Sequence, residues 1–126
     1  MCSASATIQI GVETEYLEEH SSEQDEQFTF VYTITITNQD DIPLKLLRRH
    51  WHITDGNGKT NEVEGEGVVG KQPTLKPKKP FTYTSSVVIQ TPVGVMEGNY
   101  TLQTEKGELL SAPIPAFRLA KPNSLH

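Results

Sequence analysis

The chain has 126 residues, a net charge of −5 and one cysteine, and these properties exclude several classes of protein. The length fits one domain with one hydrophobic core. The lone cysteine, Cys2, cannot form an intrachain disulfide, and no stretch has the length and hydropathy of a signal peptide or a membrane-spanning helix. We therefore expect a soluble protein of the cytoplasm, without membrane insertion.

Charge is unevenly distributed along the sequence. Seven acidic residues and no Lys or Arg lie between Glu13 and Glu26. The basic residues form two later groups, Lys45 with Arg48 and Arg49, and then Lys71, Lys76, Lys78 and Lys79. Neither group has the charge density of a general nucleic-acid-binding surface, so we expect no nucleic-acid partner. A local anion site at the second group stays open, although solvated surface is the commoner role of such groups.

Alternation of apolar and polar residues predicts β-strands along most of the chain. The pattern starts at residues 8–12 and is clearest at 28–37, where every second residue is aromatic or aliphatic. It returns at residues 81–89. We therefore expect half-buried strands, with one face toward a core and the other toward water.

Two further segments depart from regular alternation. Residues 44–54 are apolar and β-branched but include two arginines and two histidines, which predicts a strand with a twist or a bulge. Residues 109–119 contain Pro113 and Pro115. Because proline cannot donate a ladder hydrogen bond, this segment is predicted to be an edge strand or an irregular one.

Turn residues separate the strands, and no segment has the apolar stripe of a helix. Clusters typical of turns lie at residues 38–41, 55–58 and 105–108, and the acidic residues 18–27 predict an exposed loop. About seven short strands in an all-β chain predict one immunoglobulin-like or fibronectin type III-like β-sandwich. A β-barrel is the alternative.

The sharpest motif is Gly65-Glu66-Gly67-Val68-Val69-Gly70, which has the GxGxxG spacing of dinucleotide-binding loops. Pro73 and Pro77 follow where a dinucleotide-binding fold needs a helix, so we reject that interpretation. Glycines in a loop can still present backbone N–H groups to pyrophosphate or a nucleotide polyphosphate, with Lys71 adding positive charge. The alternative is that the glycines only supply the backbone conformation of a tight turn.

His50 and His52 are predicted to share one face of a strand, as a pair of metal ligands would. Two ligands do not make a site, so we expect structural histidines, with Trp51 as a core aromatic residue, and no bound metal. Neither paired carboxylates nor a nucleophile with a positioned base can be recognised. We therefore expect no catalytic residues, no cofactor and no enzyme activity.

From position 47 onward the sequence resembles the ApaG domain family. The similarity is carried by five blocks in order, at residues 47–55 (LRRHWHITD), 64–75 (EGEGVVGKQPTL), 81–85 (FTYTS), 91–100 (TPVGVMEGNY) and 113–119 (PIPAFRL). Residues 32–38 also match the family's Y-x-I-x-I-x-N strand. The chain departs from the family at Pro77-Lys78-Lys79-Pro80, where Pro-Gly is usual, and at Ser85-Ser86, where Ser-Gly is usual.

The resemblance implies a fibronectin type III-like or immunoglobulin-like sandwich, in one domain over residues 1–126 with a core of about 6–120. It also implies a non-enzymatic protein-interaction module linked to cobalt resistance and magnesium efflux. A soluble chain of this size cannot form a membrane path, so any efflux role would need a protein partner. The pyrophosphate site proposed in the family would map onto Gly65, Gly67 and Gly70, beside Lys71. The identity of the partner and the formation of a homodimer stay open.

Overall fold

The computed structural model describes residues 7–122, and most of them lie in β-strands. The eight strands are β1 (Ile8–Tyr16), β2 (Phe28–Asn38), β3 (Leu44–Asp55), β4 (Thr60–Glu66), β5 (Thr74–Leu75), β6 (Pro80–Ile89), β7 (Val93–Gln103) and β8 (Leu109–Ala120). One turn of 3-10 helix (Glu18–His20) lies between β1 and β2, and the described residues contain no α-helix. Within 7–122, no helix has the length and hydropathy to cross a membrane.

The strands form two antiparallel sheets packed as a sandwich. One sheet has the order β1-β2-β6, and the other has the order β4-β3-β7-β8, with the short β5 also paired to β3. Seven of the strands have seven residues or more, and β5 has two. The predicted all-β sandwich of about seven strands is therefore confirmed.

The core lies between the facing sides of the two sheets. In β2 every second residue from Phe28 to Ile36 points inward and is buried. The threonines between them point outward, where Thr33 and Thr84 share a hydroxyl hydrogen bond of 3.0 Å across to β6. This arrangement is the period-two alternation that the sequence shows.

A register shift in β3 changes which residues face the core. The shift lies between Leu46 and Arg48 in the pairing with β7. Leu44 and Leu46 are buried before it, whereas Trp51 and Ile53 are buried after it. Because side chains alternate along a strand, one extra residue exchanges the inner and outer positions. Of the predicted twist or bulge, the structure thus has the bulge, and it places Arg49 on the inner side.

Trp51 is confirmed as a core aromatic residue, since it is 2% exposed. Its ring makes edge contacts with Tyr32, at 5.5 Å between ring centroids, and with Phe117, at 5.8 Å. Aromatic pairs with this geometry add to the stabilisation that burial provides.

The sheet edges are not equivalent. Strand β8 ends its sheet, as Pro113 and Pro115 predict, and its pairing with β7 also contains a register shift. Strand β1 contacts β8 across the sandwich. The other two terminal strands, β6 and β4, therefore lie on the opposite side, which we call the open side of the sandwich.

Candidate functional site

The three glycines of the GxGxxG motif lie in three different settings. Gly65 is inside β4, where it pairs with Arg49 of β3. Gly67 follows the end of β4 with a φ of 61°, and Gly70 lies in the next turn with a φ of 79°. A Cβ atom at Gly67 would overlap the backbone oxygen of Lys71. This glycine is therefore required by a close backbone approach.

Residues 68–71 form a tight two-residue turn. The amide of Val68 donates to the oxygen of Lys71 at 2.8 Å, and the amide of Lys71 donates to the oxygen of Val68 at 2.9 Å. Val69 and Gly70, the two central residues, have φ values of 43° and 79°. Positive φ at both central positions identifies a type I′ turn, which normally carries Asn-Gly. The motif is thus a hairpin end with a β-branched residue in a left-handed conformation.

Most amides of this segment are already used. The amide of Gly67 donates to the oxygen of Leu47 at 2.7 Å, and those of Val68 and Lys71 bond to each other's oxygens. Within residues 7–122, the amides of Val69 and Gly70 donate to no protein acceptor. An anion at this loop would therefore meet two adjacent N–H groups and the exposed Lys71.

The other lysines of the predicted anion site come after β5 in the sequence, whereas Lys71 comes before it. Lys76, Lys78 and Lys79 are exposed. Lys78 donates from its amide to the oxygen of Asn38 and from Nζ to the oxygen of Gln39, so it is tied to the end of β2. The structure describes no contact that joins these lysines to the glycine turn.

His50 and His52 share one face of β3, as predicted, and this face is the outer one. His50 Nε2 lies 2.8 Å from Glu62 Oε1 and 4.0 Å from Glu64 Oε1, both on the neighbouring β4. Across the described range, no three His, Cys, Asp or Glu side chains form a group that could hold a metal ion. His50 is thus part of a polar strand pairing on the surface.

A cleft opens between the two sheets on the open side. It has a volume of about 150 Å³ and is lined by side chains from both sheets, including Tyr32, Trp51, Val63, Ser85, Val87 and Met96. Arg49 also lines it. The sequence did not predict this site, because its residues come from five strands and converge only after the β3 register shift.

Arg49 is the charged residue of the cleft. Its Nη1 donates to the oxygen of Gly67 at 2.9 Å and to that of Glu66 at 3.3 Å. Its side chain lies across Gly65, where an added Cβ would be 2.7 Å from Nη1. In the part of the chain that the structure describes, no carboxylate forms an ion pair with it. The first glycine of the motif thus makes room for an arginine.

Two tyrosine hydroxyls meet in the core near Arg49. Tyr83 Oη and Tyr100 Oη form a hydrogen bond of 2.6 Å. Burial raises the pKa of Tyr83 to about 12, while the hydrogen bond to Tyr100 and the charge of Arg49 oppose the shift. Burial also raises the pKa of Tyr100, again with Arg49 opposing. Both hydroxyls are therefore neutral at physiological pH.

The comparisons with known proteins agree with this architecture. A family model described as the ApaG domain matches residues 18–104. The chain belongs to the ApaG domain family. It is 49% identical over 128 residues to Protein ApaG of Shewanella halifaxensis, with all of both chains covered. It is 51% identical over 120 residues to Protein ApaG of Photobacterium profundum, covering 95% of this chain and 94% of that protein.

Solved structures show the same ApaG fold. An X-ray structure of the structural genomics target SoR45 has a TM-score of 0.89 and 51% identity, covering 94% of this chain and 90% of its own. A crystal structure from Bordetella pertussis, described as an ApaA protein, has a TM-score of 0.89 and 39% identity, with 98% and 100% coverage. A protein from Archaeoglobus fulgidus shares the fold alone, with a TM-score of 0.55 and 13% identity.

The departure from the ApaG pattern before β6 has a structural consequence. Lys78 has a φ of 65°, a left-handed conformation that glycine adopts without steric cost. The segment therefore keeps a turn with glycine-like geometry although its sequence has lysines there. The strain is offset by the two hydrogen bonds that Lys78 makes to Asn38 and Gln39.

Proposed function

We propose that this ApaG domain is a non-enzymatic protein-interaction module that binds its partner through the free edge of β6. The observation that carries the proposal is the state of that edge. Strand β6 has ten residues and pairs with β2 without a register shift. No other strand of the described region pairs with its second edge. A row of unpaired backbone groups on a long, regular strand is a template for another strand.

The other sheet edges carry features that oppose pairing. Strand β1 contains Glu13 and Glu15, strand β4 presents three glutamates, and β8 contains Pro113 and Pro115. Charges, prolines and irregularities are the usual means by which proteins protect exposed edges. Strand β6 has no charged residue, and its one proline is at its first position. Because β6 lacks the protection that the other edge strands have, its free edge is suited to binding a partner strand.

The protonation state of the two buried tyrosines, Tyr83 and Tyr100, agrees with a non-catalytic function. The two core tyrosines keep their protons at neutral pH because burial raises the pKa of each. An uncharged phenol with so high a pKa is a poor general base. The link to cobalt resistance and magnesium efflux, which the family resemblance implies, would on this proposal be exerted through the bound partner in the cytoplasm.

Affinity capture with paired variants tests the module. Val88 lies on β6 with 57% of its surface exposed, and Val95 lies on the interior strand β7 with 39% exposed. We expect tagged wild-type protein and Val95→Lys to capture the same protein from cells, and Val88→Lys to capture at least about tenfold less, because lysine on an edge strand opposes pairing. Equal recovery by all three proteins, or no specific recovery, would contradict the proposal.

An anion sensor is the second candidate, favoured by the amides of Val69 and Gly70 beside Lys71. Two adjacent N–H groups and an ammonium can bind a phosphate group. We expect pyrophosphate or a dinucleoside polyphosphate to shift the amide resonances of residues 65–71 in NMR titrations, and Lys71→Gln to weaken that response. Unchanged resonances in this segment at millimolar ligand would rule out the sensor.

A further inference from the structure

The cleft behind β6 contains a cation that the fold leaves unpaired. Arg49 is half-buried on the inner side of β3, and its described partners are the backbone oxygens of Glu66 and Gly67. Both bonds come from Nη1. A guanidinium has five N–H donors, so the groups on Nε and Nη2 remain available. These are the donors with which arginine binds a carboxylate through two parallel hydrogen bonds.

A second donor belongs to Trp51, whose side chain also lines the cleft. The Nε1 atom of Trp51 is buried and has no hydrogen-bond partner among residues 7–122. A buried donor without an acceptor is unfavourable and rare in native proteins. Tyr32 and Ser85, two residues with hydroxyl groups, line the cleft as well. The polar groups of the cleft therefore favour a ligand that accepts hydrogen bonds and carries negative charge.

The remaining walls are apolar. Val63 pairs directly with Trp51, so it faces the inner side of the sandwich, yet 42% of its surface is exposed. Val87 and Met96 line the cleft with it. The volume of about 150 Å³ is that of a cavity that holds one benzene-sized molecule. The cleft thus matches one side chain with an apolar stem and an acidic end.

We propose that the cleft binds a glutamate side chain from an extended partner segment that pairs with the free edge of β6. The inference rests on the proposed function, since the segment is the added strand. Every second side chain of such a strand points inward, toward Arg49. A second copy of this chain paired through β6 would bring no carboxylate, because β6 contains no acidic residue. The partner is therefore a protein with an acidic residue in a β-forming segment.

A pair of peptides tests the proposal on the unmodified protein. Both are capped seven-residue peptides of alternating threonine and valine, with a central glutamate in one and glutamine in the other. The chain has one tryptophan, so fluorescence reports directly on the cleft. We expect the glutamate peptide to bind at least about tenfold more tightly, since a hydrogen bond to a charged group is worth that much, and to shift the amides of residues 80–89.

Arginine variants test whether Arg49 causes the preference for the glutamate peptide. Arg49→Gln should bind both peptides equally, because the carboxylate loses its charged donor. Arg48→Gln is the matched control: it makes the same change one residue earlier, at an exposed position, and should keep the preference. If Arg49→Gln does not fold, the comparison of the two peptides on wild-type protein still shows whether the cleft prefers a carboxylate.

The outcomes separate this inference from the interaction module itself. Equal affinity of the two peptides, binding of neither peptide, or shifts outside β6 and the cleft would overturn the glutamate proposal. Concentration-dependent dimers that protect the β6 amides without peptide would also overturn it, since the occupant would be a second copy. In any of these cases, the proposal that β6 binds a protein partner still holds if Val88→Lys loses the captured partner and Arg49→Gln retains it.

Discussion

At the scale of single residues, Val69 has a backbone conformation that its side chain disfavours. Its φ is 43°, and it is the first central residue of the type I′ turn. A left-handed conformation costs a residue other than glycine about 1–2 kcal/mol, whereas asparagine tolerates it. Because half of the side chain is exposed, little packing is lost on replacement.

Val69→Asn is therefore expected to stabilise the protein by about 1 kcal/mol. Urea denaturation followed by circular dichroism measures the change. Val95→Asn is the control, since it replaces an exposed valine within a strand, where asparagine is disfavoured. A Val69→Asn protein no more stable than wild type would contradict the assigned turn.

The tyrosine pair predicts how stability depends on pH. Burial raises the pKa of Tyr83 from 10.0 to about 12 and also raises that of Tyr100. The unfolded chain therefore loses these protons first as pH rises. The free energy of unfolding should keep this contribution below about pH 9 and lose it progressively between about pH 10 and 12.

Removing both hydroxyls should reduce the loss of unfolding free energy at high pH. The double variant Tyr83→Phe with Tyr100→Phe removes both titrating groups together, so neither hydroxyl is left without its partner. Thermal melts at pH 8 to 12 should then show a shallower decline in melting temperature than wild type. An identical decline in the two proteins would mean that the pair does not titrate as described.

At the scale of elements, the hairpin that contains the glycine motif is held by close backbone packing. Gly67 has a positive φ and no room for a Cβ, whereas Gly70 has a positive φ but open space around it. We expect Gly70→Ala to cost about 1–2 kcal/mol and Gly67→Ala to cost clearly more, because the clash with Lys71 adds to the strain. Equal losses of stability in urea denaturation would contradict this geometry.

Strand β3 shows why only part of the element structure could be predicted. Its existence and its irregularity follow from apolar residues interrupted by arginines and histidines. The position of the register shift, between Leu46 and Arg48, does not, because one bulge position is hardly distinguishable from the next in sequence. Without it, neighbouring Arg48 and Arg49 look alike, and the inward orientation of Arg49 could not be inferred.

Strands β2 and β6 illustrate the opposite case. Their inner residues recur at every second position over residues 28–36 and 81–89, so strand type and inner face were predictable from the sequence. The order of strands was not, because alternation describes one strand and not its neighbours. That β6 would end its sheet, and that β4 would lie on the same side, required the three-dimensional structure.

At the scale of the whole molecule, the two sides of the sandwich differ in chemistry. On one side β1 contacts β8. On the other, the edges of β4 and β6 leave a cleft in which an arginine and a tryptophan face exposed valine. A partner strand placed there would continue the sheet and cover apolar surface at once, which is how strand addition gains both affinity and specificity.

Site-specific photo-crosslinking in cells tests most directly whether partner binding occurs at the open side. A photoreactive amino acid replaces Val63, at the cleft, or Thr33, on the outer face of β2. A partner bound along β6 should crosslink to the protein labelled at position 63 and not to the one labelled at 33. Crosslinks to the same protein from both positions, or from position 33 alone, would contradict the account.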